Sequence, residues 1–212
     1  MPLPMVHLCV AHQAAQGSAL QDKGEYYLGA IAPDAVHMRP EYVPEYKHIS
    51  HLREDLRTPL SVRARRALAL WQQEKEGANR DFYTGYCLHL FTDIWWLNDF
   101  YFPVFRQEYD ADRQAVQDVK RAYYNDCDQL DIRLYDEYSD RPAIWQALAE
   151  ATVVAVGERV SAQEVALWRD RTLNWHDGRR SSYEIPVRYT PYEALLRFID
   201  EASKRAVQAL EI

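Results

Sequence analysis

An all-α fold, built as a single multi-helix domain over residues 1–212, is predicted by three observations. Only seven glycines occur in 212 residues, and runs rich in Val, Ile and Thr are scarce, which disfavours a sheet. Apolar residues recur at helical spacing between capping signals. The proportions of hydrophobic (48%) and charged (27%) residues are those of a folded globular chain.

The elements follow in order. Met5 to about Ala15 predicts a short opening helix. In GEYYLGAIAPDAVHMRP, Pro33 and Pro40 interrupt any long helix. Tyr42 to Arg57 carries more prolines and charges and reads as an extended loop with ligand-bearing side chains. Thr58-Pro59 predicts an N-cap followed by Pro at the first helical position. The run after it, LSVRARRALALWQQEKE, places Leu60, Ala64, Ala67, Leu68 and Trp71 on one face, with Arg63, Arg65 and Arg66 read as a solvated face. From Asp81 to about Leu97, DFYTGYCLHLFTDIWWL is apolar nearly all round and should be central. Asp112 to Asn125 and Gln129 to Tyr138 predict two polar-faced helices. Ser161-x-x-Glu164 and Thr190-x-x-Glu193 are capping boxes, the second reinforced by Pro191. The last helix sets Tyr192, Leu195, Leu196, Ile199 and Ala202 in one stripe. No repeat, low-complexity segment or linker divides the chain.

Several function classes are disfavoured. The net charge is −7 and no long basic tract exists, which argues against nucleic-acid binding. Cys9, Cys87 and Cys127 are odd in number and form no CxxC, so they read as reduced core thiols rather than a disulfide framework. The N-terminal MPLPMVHLCVAHQ is broken by His7 and His12 and is not a signal peptide. No apolar run reaches the ~20 residues of a membrane span. A cytoplasmic protein is expected. No Walker loop, GxGxxG or GxSxG occurs, which argues against NTP, dinucleotide and serine-hydrolase chemistry.

The residues that carry chemistry begin with His89 and Asp93, one helical turn apart on the most apolar helix. Side chains at i and i+4 share a face, so imidazole and carboxylate can converge on one point. A buried pair of this kind is either a structural hydrogen bond or half of a metal site. Other residues shift the balance toward a metal. Five of the seven histidines fall at positions 7, 12, 37, 48 and 51, and Asp34 follows Ile31-Ala32-Pro33 in an apolar setting. Asp34, His51, His89 and Asp93 supply four ligands, and His7 adds a fifth or begins a second site. His37, Arg39, Lys47 and His48 are candidates to flank the metal and receive an anionic phosphate, or are surface loop residues. His12 reads as an outer-face residue and His176, in NWHDGRR, as a loop residue. Tyr26-Tyr27, Trp95-Trp96 and Tyr123-Tyr124 read as core or pocket wall.

The order His7, YLGAIAPDAVH, KHISHL, GYCLHLFTDIWW resembles the zinc-dependent phospholipase C family over roughly residues 5 to 100. That family is all-helical and orders its ligands as an early His, an Asp in a G-x-x-x-PD segment, a His and then HxxxD. The resemblance implies one metal on Asp34, His51, His89 and Asp93, with Asp93 bridging toward a second held with His7. It also implies phosphodiester hydrolysis, with Asp34 as a candidate base. The chain departs from the family in two places. Six residues precede His7, where secreted members use the mature N-terminal residue as a ligand. After Asp93 only His176 remains, where the family has a further His/His/Glu set, so a three-metal centre is not expected.

The expected function is metal-dependent hydrolysis of a small phosphodiester or related phosphoester. Zinc is the expected cofactor, one ion and at most two, and manganese or iron suits the same donors. Asp34 or Asp93 accepts the proton. The alternative is a non-catalytic helical protein whose metal staples the segment from Pro33 to His51. A helical phosphohydrolase of the HD type ranks last, since the one His-Asp dipeptide, His176-Asp177, has no ligand set around it.

Overall fold

The computed structural model describes residues 2–108, 113–177 and 186–212. Among these the chain is helical, and its only β feature is an isolated bridge between Val156 and Val160. Asp112, the expected start of a helix, and Gly178, Arg179 and Arg180 of the predicted turn lie outside the described residues. None of the described helices is long and apolar enough to cross a membrane.

Helix α1 (Pro4–Ala14) opens with a proline in its first turn and is buried along most of its length. Helix α2 (Lys23–Ile31) is capped by Asp22, whose carboxylate accepts from the Glu25 N–H at 2.9 Å. It runs on into a 3-10 turn over Ala32–Met38, where Pro33 removes the α-helical donor. The predicted loop from Tyr42 to Arg57 contains a short helix, α3 (Pro44–Ser50), started by Pro44 at a first-turn position.

Helix α4 (Leu60–Glu74) begins after Pro59, and Thr58 does not cap it. The Thr58 hydroxyl instead accepts from the N–H groups of Glu54 and Asp55, closing the preceding turn. Arg63 is buried rather than solvated, donating to the carbonyls of Thr58 and Leu56 at 2.8 Å each. Arg66 pairs with Glu54. The α4 stripe buries Ala67, Leu70 and Trp71 and leaves Leu68 39% exposed, one position from the expected register.

Helix α5 (Arg80–Trp96) is buried over thirteen of its seventeen residues and ends in a π turn, Leu97–Tyr101, before α6 (Phe102–Glu108). Two glycines explain how closely it meets α2. A Cβ on Gly29 would lie 2.0 Å from the Phe82 carbonyl oxygen, and one on Gly85 2.0 Å from that of Tyr26. Backbone touches backbone at this crossing, which a side chain on either glycine would prise apart.

Helix α7 (Arg113–Glu137) is continuous where a break at residues 125–129 was expected. The polar residue Asp126 has a tertiary role there, accepting from the N–H groups of Arg188, Tyr189 and Thr190. Helix α8 (Arg141–Glu150) was not anticipated from the sequence. Helix α9 (Ala162–Asn174) carries both bonds of the Ser161/Glu164 capping box. Helix α10 (Tyr192–Leu210) starts after Pro191 without a side-chain cap from Thr190, whose N–H is held by Asp126. It buries Tyr192, Leu195, Ile199 and Ala202, while Leu196 is 43% exposed. All three cysteines are free and buried.

Candidate metal centre

The polar atoms that α1, α5 and the 32–51 segment bring together are buried and lack hydrogen-bond partners. They are both ring nitrogens of His7, Nε2 of His51, Nε2 of His89 and both carboxylate oxygens of Asp93. Orphaned buried polar atoms cost about 1–3 kcal/mol each, so the gathering of five of them points to a common partner; the sixth, His7 Nδ1, faces away from its own Nε2.

Their spacing suits a metal ion. His51 Nε2 lies 3.3 Å from Asp93 Oδ2 and 3.4 Å from Asp34 Oδ1. His7 Nε2 lies 3.6 Å from Asp93 Oδ1, and His89 Nε2 lies 3.9 Å from Asp93 Oδ2. These separations exceed the usual 2.7–3.2 Å of N–H···O bonds. Donors ~2.0–2.1 Å from a tetrahedral zinc stand about 3.3–3.4 Å apart, close to what is seen. Two triads form, His7/His89/Asp93 and Asp34/His51/His89, with His89 in common. The residues fit a divalent cation of the zinc type, with room in the donor set for one or two.

Outer contacts orient the ligands. The His89 Nδ1–H donates to the Ala30 carbonyl at 2.8 Å, which leaves Nε2 as the lone-pair atom. Ser50 Oγ donates to the Lys47 carbonyl at 3.3 Å, so the His51 Nδ1–H donates to Ser50 Oγ at 2.9 Å and its Nε2 also keeps a lone pair. The Tyr86 hydroxyl donates to the Ser50 carbonyl at 2.6 Å. Tyr86, His89 and Asp93 follow one face of α5, so a single helix presents two ligands and anchors a third. His7 stacks on His89, with centroids 3.8 Å apart and planes at 8°.

The N-terminus of α1 has no side-chain cap of its own. Asp131 of α7 supplies the acceptor, taking the Met5 N–H at 2.9 Å on Oδ1 and His176 Nε2 at 2.9 Å on Oδ2. His176 is therefore a buried clamp on the helix that carries His7, and its ring stacks on Tyr135 at 4.1 Å. Sequence reading missed this role because its partner is 45 residues away.

Burial sets the protonation states. It pushes the His51 pKa down to about 4, and with His89 beside it holds His7 well below its ordinary value. Burial alone would raise both carboxylates. The Lys47 ammonium with His89 and His51 instead holds Asp34 well below the usual range, and His51, His89 and His7 do the same for Asp93. Lys47 lies 2.6 Å from Asp34 Oδ1, and Asp34 and Asp93 outweigh its burial to keep it charged. Neutral His7 and His51 beside ionised Asp34 and Asp93 are the protonation states that metal ligands require.

The weaker candidates separate. His37 lines a cleft of about 480 Å³ that reaches Asp34 and Lys47. Arg39 does not face that cleft. It pairs with Glu164 and donates to the Arg159 carbonyl at 2.8 Å, fastening the 3-10 turn to α9. His48 Nδ1 lies 3.0 Å from the Glu54 carbonyl and lines a different cleft. His12 is half-buried against Tyr27. No protein-family model matches the chain, no curated protein matches its sequence and no solved structure matches its fold.

Proposed function

We propose that this protein is a metal-dependent hydrolase of phosphoesters, with zinc the first ion to test. The observation that carries the reading is the convergence of five orphaned buried donor atoms, Nε2 of His7, His51 and His89 and both oxygens of Asp93, beside a cleft whose edge holds Asp34 and Lys47.

A bound divalent cation there supplies Lewis acidity and lowers the pKa of water from ~16 toward ~7. Asp34, His51, His89 and Asp93 hold that ion, and His7 with Asp93 serves a second. Asp34 is the ligand that borders the cleft, so its carboxylate accepts the proton of the attacking water. Lys47 keeps Asp34 ionised and offers its ammonium to a phosphoryl oxygen. The two carboxylates and Lys47 together carry one net negative charge. A divalent cation turns that into one positive charge, which matches a phosphodiester monoanion.

The deep burial of His7, His51, His89 and Asp93, none more than 5% exposed, favours a second reading. In it the ion is a closed structural staple between α1, α5 and the 32–51 segment.

The test is elemental analysis of the purified protein beside its His89→Ala/Asp93→Ala variant, followed by turnover of bis-p-nitrophenyl phosphate. The expected result is about one or two equivalents of metal, lost in the variant together with turnover. Metal without turnover of any phosphoester selects the staple. No metal after reconstitution removes both readings.

A further inference from the structure

The cleft beside Asp34 is chemically two-sided. One wall carries Asp34, Lys47 and His37, and the other is built from Tyr42, Tyr124, Trp168 and Trp175. Tyr42 and Tyr124 are 38% and 41% exposed, so each leaves part of its ring open to a bound group. The charge in the cleft is one-sided. Among the described residues Asp34 is its only acid, and it is already paired with Lys47. Arg171 adds a second fixed cation, its guanidinium 5.4 Å from the Trp168 ring centroid and 5.0 Å from that of Trp175. Among the described residues Arg171 pairs with no carboxylate and is exposed at the cleft wall.

A quaternary ammonium headgroup needs aromatic faces free of other cations, or an acid to receive it. This cleft offers little of either: Arg171 already lies over the Trp168 and Trp175 rings, Lys47 occupies the Asp34 carboxylate, and the Tyr42 and Tyr124 faces that remain share the cleft with both cations. An anion with a flat apolar substituent meets the opposite reception: Lys47 and Arg171 bind its oxygens, and the rings stack on its substituent.

Resting on the phosphoester reading above, we propose that the substrate is an anionic phosphoester bearing an aromatic or similarly planar group. Arg171 and the exposed ring of Tyr124 select that group, and choline-type esters are excluded.

The experiment uses the zinc-loaded protein and two readouts. Calorimetric titration compares phenyl phosphate with phosphocholine, and turnover compares bis-p-nitrophenyl phosphate with p-nitrophenylphosphorylcholine. Both are repeated on Arg171→Gln and on Tyr124→Leu, surface changes that leave the fold and the zinc content intact. Phenyl phosphate should bind at least about tenfold tighter than phosphocholine, and Arg171→Gln should cost it about tenfold, the size of one charge-assisted contact. Equal or tighter binding of phosphocholine, or indifference of phenyl phosphate to both substitutions, overturns the proposal. The two levels separate cleanly. Arg171-dependent phenyl phosphate binding without turnover of either ester keeps the cleft assignment and removes the hydrolase. Turnover that prefers the choline ester keeps the hydrolase and removes the cleft assignment.

Discussion

His7 and His89 stand face to face, 3.8 Å between ring centroids, within a layer of protein that admits almost no water. Burial, with His89 beside it, holds the His7 pKa well below its ordinary value. His51 behaves likewise, its pKa pushed down to about 4 by burial. The unfolded chain takes up a proton on each histidine near pH ~6.5, while folded His51 does not until about pH 4. The unfolded state therefore binds more protons in that window, and stability of the metal-free protein falls as pH drops through it. For His51 the loss reaches about 3 kcal/mol by pH 4. Calorimetric Tm measured from pH 8 to pH 4 should decline below ~6.5, and His51→Gln should flatten the decline.

Zinc should stabilise the fold by binding the native donors. At a free concentration about 100 times Kd the gain is about 2.7 kcal/mol, or roughly 5–10 °C in Tm for a chain of this size. A chelator should reverse it. His89→Ala should abolish the response, and a zinc-dependent rise in that variant equal to the wild type would refute the donor set.

Lys47→Met separates holding a metal from using it. The zinc content should persist, since Lys47 donates no lone pair, while turnover of a phosphoester should fall about 10²–10³-fold. A variant with wild-type kcat would show that the ammonium serves only to balance Asp34.

His176→Ala leaves Asp131 buried with one oxygen unanswered and the first turn of α1 less firmly held. The expected cost is about 2–4 kcal/mol, read from the urea midpoint. Zinc affinity should drop with it through His7, although His176 touches no metal ligand.

Gly29→Ala should be the most damaging small substitution. Its new methyl would meet the Phe82 carbonyl at 2.0 Å, a backbone atom that no rotamer change can move. A loss of about 3 kcal/mol or more, or failure to accumulate as folded protein, is expected on expression and denaturant titration.

The helical class and the gathering of His7, Asp34, His51, His89 and Asp93 were legible because ionisable residues in apolar helical surroundings stand out against local chemistry. What escaped was decided at long range. Thr190 looks like half of a capping box, but Asp126, 64 residues away, takes the N–H that Glu193 would receive, while the Thr58 hydroxyl is diverted nearer by, closing the turn on Glu54 and Asp55. Residues 125–129 look like a break until Asp126 is seen receiving three N–H groups from 188–190. Arg39 looks like a phosphate ligand until Glu164, 125 residues away, takes its guanidinium. Lys47 was visible only as a flanking cation, since its pairing with Asp34 depends on α3, a helix hidden in a proline-rich stretch.

Because α2 and α5 meet through bare backbone at Gly29 and Gly85, neither helix can rotate or slide without breaking the seat. The Ala30 carbonyl, His89 and the chain leading to Asp34 therefore move as one body. On the proposed reading, an ion would meet donors on α5 that folding has already placed, so capture would require little further ordering of that helix. Such a seat would also discriminate by donor type: calcium, which wants six to eight oxygens at ~2.3–2.6 Å, would be disfavoured against small ions that accept imidazole at ~2.0–2.1 Å.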